Sequence, residues 1–170
     1  IFYIEDIDSL RFALSVSDQF NLNKFQPHFP GYPVFCFLAG FIYFFLNNIG
    51  ITFSLIGGIS VFIIIVYSLK ILDLKIESSL SIILFSLFFL NPMIWILSNR
   101  YMPDLMGLSL FILSFYYIMN KKIFIGGFFA GLLLGTRLSF FPLLLIPGLK
   151  VFFDSENKIY YLFSILLGSL

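Results

Sequence analysis

The stretch "ITFSLIGGISVFIIIVYSLKIL", residues 51–72, carries a single charge, Lys70, close to its end. A helix that crosses a bilayer needs about 20 apolar residues, and this stretch supplies them without a break. The same pattern recurs downstream. Ser78 to Leu97 reads as a second span, with Asn91-Pro92 breaking its last turns. Asp104 to Met119 and Ile123 to about Gly135 follow. Leu138 to Phe153 is interrupted by Pro142 and Pro147, and a last span opens near Ile159. Gly127, Gly131 and Gly135 recur every four residues, the spacing that lets a neighbouring helix pack closely. The chain starts on Ile1 and closes inside the apolar run "YYLFSILLGSL", residues 160–170, so both ends read as cut from a longer membrane protein.

Composition agrees. Of 170 residues, 60% are hydrophobic, 11% are charged and 25 are Phe, with a mean hydropathy of +1.03. Soluble domains lie nearer half apolar and a quarter charged. The expected fold is therefore all-α, a polytopic transmembrane helical bundle. No basic cluster is present to follow a phosphate backbone, so nucleic acid is not an expected partner. The lone Cys36 excludes an internal disulfide, and the lone His28 excludes every His-pair metal motif.

The first fifty residues differ from the rest. Asp8 to Phe20 reads as an amphipathic helix, with Leu10, Ala13, Leu14, Ser17 and Phe20 on one face and Asp8, Arg11, Ser15 and Asp18 on the other. Such a helix lies along a membrane surface. "NLNKFQPHFPGYP", residues 21–33, is too polar and proline-rich for regular structure. "VFCFLAGFIYFFLNN", residues 34–48, suits a short span or an interfacial helix. Charge parity favours the second. If residues 33–47 do not cross, Lys70, Lys75, Lys121, Lys122, Lys150 and Lys158 all fall on one side, which the positive-inside rule makes cytoplasmic. Glu5, Asp6, Asp8, Arg11, His28, Asn99, Arg100, Asp104 and Arg137 then gather on the other. The expected organisation is an outer loop with two interfacial helices over residues 1–49 and a transmembrane bundle over residues 50–170, truncated at both ends. Its location is the cell membrane, multi-pass, with the active face extracytoplasmic.

Each polar group has a structural reading beside a functional one. Asp6 or Asp8 suits a helix cap, and Asp8 can share a helix face with Arg11. "QPHFPGYP", residues 26–33, is either a rigid connector or a support holding His28 and Tyr32 over a cleft. In "SNRYMPDLMG", residues 98–107, Pro103 suits the first helical position, Asp104 gains from the helix dipole, and Arg100 can snorkel to headgroups. Arg137, in "LLLGTRLSFFP", residues 132–142, is a charge in apolar surroundings and a functional candidate by default.

In order and spacing these stretches resemble the N-terminal part of the GT-C superfamily, multi-spanning glycosyltransferases that use polyprenyl-phosphate-linked sugars. The protein O-mannosyltransferase and lipid A aminoarabinose transferase group is the nearest likeness. "DSLRFA", residues 8–13, resembles that group's acidic first-loop motif, and "HFPGYP", residues 28–33, its proline-tyrosine element. Asp104 in "YMPDL" and Arg137 in "GTRLS" stand where a later aspartate and a basic residue are expected. Ser9 stands where the family commonly has a second acid, and His28-Phe29 replaces its usual residues. The resemblance implies transfer of a sugar from a polyprenyl-phosphate donor to an acceptor hydroxyl, with inversion. It implies a carboxylate base among Asp8, Asp6 and Glu5, donor phosphate on Arg137 and Arg11, and substrate contacts from His28, Tyr32, Arg100 and Asp104. Some relatives use a divalent cation such as Mg or Mn, for which Asp6, Asp8 and Asp104 are the carboxylates open here. A transporter or flippase, or a non-catalytic protein that binds a lipid carrier, are the alternatives.

Overall fold

The computed structural model describes residues 6–18, 20–154 and 158–169, and among them every regular element is helical. The elements are α1 (Ile7–Ser17), α2 (Pro33–Leu46), α3 (Ile49–Ile71), α4 (Ser79–Phe89), α5 (Pro92–Asn99), α6 (Asp104–Met119), α7 (Ile123–Thr136), α8 (Phe141–Asp154) and α9 (Lys158–Ser169). Short 3-10 turns occupy Leu22–Lys24 and Leu138–Phe140. Glu5, one of the sequence candidates, lies outside the described residues.

Local chemistry sets many of the boundaries. Asp6 accepts the Ser9 amide at 2.7 Å and starts α1. Asn48 accepts the Ile51 amide at 3.0 Å and starts α3. Asn91 accepts the Met93 amide at 2.9 Å, and Pro92 sits in the first turn of α5. The axes of α4 and α5 differ by 57°. The break thus falls at Asn91-Pro92, where the sequence places it, and Pro92 starts a new helix there instead of bending the old one. The Trp95 indole bridges the break by donating to the Phe89 carbonyl. Conversely, Pro142 and Pro147 do not interrupt α8: Pro142 falls in its first turn, where no amide donor is needed, and the helix continues through Pro147.

The helices run between two ends of a bundle. Ser54 bonds Asn99 at 3.0 Å where α3 begins and α5 finishes. At the opposite end the Tyr67 and Tyr117 hydroxyls of α3 and α6 meet at 3.3 Å. Near that opposite end Ile118, Val151 and Tyr161 pack together, linking α6, α8 and α9. So α3, α6 and α8 run one way while α5, α7 and α9 return. A methyl on Gly131 would run into the Ile165 carbonyl, and one on Gly168 into the Phe128 carbonyl. The four-residue glycine pattern of α7 is thereby matched to α9. Gly135, the last of the series, instead admits Val34 of α2, at 2.5 Å from where a methyl would sit.

Helix α2 begins and ends at the same end of the bundle. Its first turn meets Gly135 near the close of α7, and Asn47, at φ 46°, turns the chain back into α3. Phe35, Cys36 and Ala39 are buried, while Phe37, Phe41, Phe44 and Phe45 are exposed. Beneath α1 and α2 lies a file of rings. Phe12 meets Phe35 edge-on at 5.4 Å, Phe35 meets Phe53 at 5.6 Å, and Phe53 stacks on Tyr101 at 4.7 Å. This file corrects the expected face of α1. Ser9, Phe12, Ala13 and Ser15 are the buried residues, and Leu10, Ser17 and Phe20 are exposed. The large ring of Phe12 sets the rotation of the helix, and small Ser9, Ala13 and Ser15 fit beside it.

Candidate functional site

At the end of the bundle where α2 lies, four segments bring charged side chains together. The Asp8 Oδ1 atom takes both the Arg11 guanidinium, at 3.2 Å, and His28 Nδ1, at 3.5 Å. His28 Nε2 lies 3.0 Å from the Tyr32 hydroxyl. Among the described residues His28 Nδ1 makes no hydrogen bond and meets Asp8 only at ion-pair distance, while Nε2 and the Tyr32 hydroxyl share a hydrogen bond, so the residues form a line Arg11–Asp8–His28–Tyr32. Phe12 supports both rings from below, edge-on to His28 at 5.7 Å and to Tyr32 at 5.1 Å. Arg11 also leans over the Phe25 ring at 5.6 Å. The connector between the two surface helices is tightly wound: Gln26–Pro27 and Phe29–Pro30 are cis, and Gly31 and Tyr32 are left-handed at φ 100° and 48°.

Arg137 closes α7 and Asp104 opens α6, where each charge suits its helix dipole. Their side chains meet at 2.7 Å. Gly107, one turn into α6, permits the approach. A methyl there would lie 3.2 Å from the Phe140 ring and 3.6 Å from the Arg137 Cβ. Ser139 accepts the Arg137 Nε proton at 3.0 Å. These two contacts use Nε and Nη1, so Nη2 enters neither.

Tyr32 stands between the two groups. Burial pushes its phenol above the ordinary value; nearby Arg137 works against that shift, while Asp8 and Asp104 add to it. The phenol therefore feels Asp8 from one group and Arg137 with Asp104 from the other. A cavity of about 280 Å³ opens beside it, walled by Pro30 and Pro33 on one side and Leu134, Thr136 and Leu138 on the other. Thr136 is wholly buried.

Asp6 has a different task. The Ser9 backbone amide holds its carboxyl below the usual carboxylate range, with partial burial opposing and Arg100 assisting. Arg100 Nη2 lies 2.9 Å from Asp6 Oδ2. Asp6 is thus a helix cap tied to the loop before α6, whereas Asp8, whose side chain is as exposed as that of Asp6, caps nothing.

The sequence candidates form two groups at the same end of the bundle, Asp8 with Arg11, His28 and Tyr32, and Asp104 with Arg137, and Asp6 with Arg100 is a further tie. The carboxylates do not form a cation site. Asp6, Asp8 and Asp104 face Arg100, Arg11 and Arg137 respectively. Among the described residues no three His, Cys, Asp or Glu side chains converge. These residues do not fit Mg or Mn, and no chemistry is routed through a metal here. Ser139, Phe12 and Phe25 were not singled out from sequence. Ser139 lies two residues after Arg137 inside the quoted "GTRLS", where a hydroxyl beside a charge was a usable signal. Phe12 lies inside the quoted "DSLRFA", where an aromatic between Arg11 and Ala13 was a usable signal; Phe25 carries no such mark, because rings are common throughout the chain.

Compared with protein-family models, with curated proteins and with solved structures, the chain matches none.

Proposed function

We propose that the chain is the catalytic end of a polytopic membrane glycosyltransferase that moves a sugar from a polyprenyl-phosphate donor to an acceptor hydroxyl on the outer face of a cell membrane. The observation that carries this reading is that Tyr32, joined through His28 to the half-buried Asp8 carboxylate, lines a cavity whose opposite wall, Thr136 and Leu138, flanks Arg137. Inverting transfer from a lipid phosphate needs those two groups. One takes a proton and must reach the attacking hydroxyl; the other stabilises the charge that develops on the leaving phosphate. In the proposed step the acceptor oxygen bonds to the anomeric carbon, the bond from that carbon to the phosphate oxygen breaks, and the acceptor proton passes to Asp8. Arg137 offers the phosphate a planar fork. Arg11 fixes the charge on Asp8, and His28 and Tyr32 orient it.

Membrane seating is supported by three features. Helix α3, with 23 residues, is long and apolar enough to cross, and the bent α4–α5 pair passes the same test when taken together. The helices alternate in direction. Large apolar side chains such as Phe44, Phe153 and Ile159 stand exposed. Helices α6, α7 and α9 have 16, 14 and 12 residues, short of the about 20 that a straight crossing takes. The multi-pass reading therefore leans on alternation and on the division of charge between the two ends.

The test is turnover by the full-length protein reconstituted with polyprenyl-phosphate-linked sugars. Free lipid phosphate and a product of inverted anomeric configuration are expected. Asp8→Asn keeps shape and removes basicity, and should lower turnover by ~10²–10⁴ with donor binding retained. The bend between α4 and α5 favours a second reading, a transporter or flippase, since broken helices also line transport paths. That activity would move the lipid across the bilayer with its sugar still attached and release no lipid phosphate.

A further inference from the structure

The other end of the bundle holds a second cavity, of about 430 Å³, lined by Lys121, Lys122, Ile123, Phe124, Ile125 and Tyr160. Its polar wall is two ammonium groups and a phenol. Its apolar wall includes Phe124 and Ile125, which are 46% and 40% exposed and so continue the cavity onto the outer surface of the bundle. Among the described residues no carboxylate lines it. The turn that presents the lysines is held from both sides. Lys121, at φ 60°, donates its amide to Ile118 at 3.0 Å, and Lys122 donates to Tyr117 at 2.9 Å. Neither lysine takes part in an ion pair among the described residues. Lys122 also lies 6.0 Å over the Tyr117 ring, while Lys70, 4.6 Å over the Tyr67 ring, and Lys158, 4.3 Å over the Phe152 ring, do not line the cavity.

A cavity with two lysines on one wall, unpaired among the described residues, and exposed hydrocarbon on the other fits an amphiphilic anion. We infer that it is a binding site for the headgroup of an anionic phospholipid, with the phosphate between Lys121, Lys122 and the Tyr160 hydroxyl and the acyl chains descending along Phe124 and Ile125. Juxtamembrane lysines attract anionic lipid in this manner, and tyrosine belongs at the same depth. The site rests on the bundle being seated in a bilayer and is independent of any transfer chemistry at the opposite end.

Native mass spectrometry of the protein released from neutral detergent tests it, with phosphatidylglycerol and phosphatidylcholine of matched chains as probes. Phosphatidylglycerol should be retained in preference to phosphatidylcholine. The double variant Lys121→Gln/Lys122→Gln should weaken phosphatidylglycerol retention about thirtyfold, from two lysines of ordinary strength near an anionic surface. The double variant Lys70→Gln/Lys158→Gln removes as much charge from the same end and should leave retention near that of the wild type. Equal loss in both variants would reduce the effect to total charge and overturn the site. So would equal retention of the two lipids. Displacement of the lipid by millimolar inorganic phosphate would assign the cavity to a free anion instead. A thermal melt of each variant in the same detergent, expected to be unchanged, separates lost binding from lost fold.

Discussion

The two ends of this bundle hold their cations in opposite ways. At one end stand all three arginines, each within 3.2 Å of an aspartate. At the other stand lysines, of which Lys70, Lys122 and Lys158 rest on rings and Lys121 and Lys122 line a cavity that holds no carboxylate among the described residues. Arginine's rigid fork suits fixed pairing, and lysine's long stem suits a charge that stays mobile and hydrated. The paired end is therefore pre-organised, with each charge already solvated by protein. The lysine end keeps attraction in reserve for something outside the chain. The difference teaches that a net charge of +1 conceals two chemically unlike surfaces.

The sharpest way to break this comparison is to ask whether a membrane separates the two ends. With Cys36 replaced, single cysteines at Asn23 and at Lys121 should be labelled by an impermeant reagent from opposite sides, each from one side only. Both positions are exposed, and Cys36 itself is a poor reporter because burial pushes its thiol up to about 11. Labelling of both from one side would end the two-surface description.

A smaller effect distinguishes pre-organised recognition from mere bracing at Arg137. Arg137→Ala should weaken lipid-phosphate donor binding about tenfold to a hundredfold, the scale of a charge-assisted hydrogen bond. Arg137→Lys should fall between, and folded yield should hold. If Arg137 serves only Asp104, the single change strands a carboxylate and lowers yield, and Arg137→Ala/Asp104→Asn restores it with donor affinity unaltered. Yield and donor affinity, measured for all three variants, decide the matter.

The smallest effect concerns Asp6. Asp6→Ala should cost about 1 kcal/mol of stability, the usual value for a lost helix cap. Asp6→Asn keeps an acceptor for the Ser9 amide but loses the pairing with Arg100. The folded carboxyl lies below its unfolded value of 3.8, so its contribution is present above that pH and is lost as pH falls through the lower folded value. The stability gap between wild type and Asp6→Asn should accordingly be open at neutral pH and close in acid. A gap that persists below pH ~3 would deny the depressed carboxyl.

Much of the paired end was legible because charges are rare in this chain and each stands out. The gathering of Asp8, His28, Tyr32, Asp104 and Arg137, and the return of α2 to the end where it began, follow from where lysines can and cannot go. The break at Asn91-Pro92 was visible for the local reason that proline lacks an amide. The rotation of α1 was not, since a short helix with apolar residues all round admits several faces, and only Phe35 beneath it selects the one bearing Phe12. The partner of the α7 glycines was likewise hidden. Spacing announces a close approach, but the choice of α9 depends on Gly168, which has no repeat of its own.

That close approach has a mechanical meaning. At Gly131 and Gly168 only backbone separates α7 from α9, so neither helix can turn about its axis without colliding with the other. The pair behaves as one strut. Tyr161 is built into its foot, one residue beyond the Tyr160 of the lysine-lined cavity, and Arg137 is mounted on its head. A stiff member passes displacement along its length instead of absorbing it. The lysine turn that opens α7 and the arginine that closes it are thus mounted on one rod.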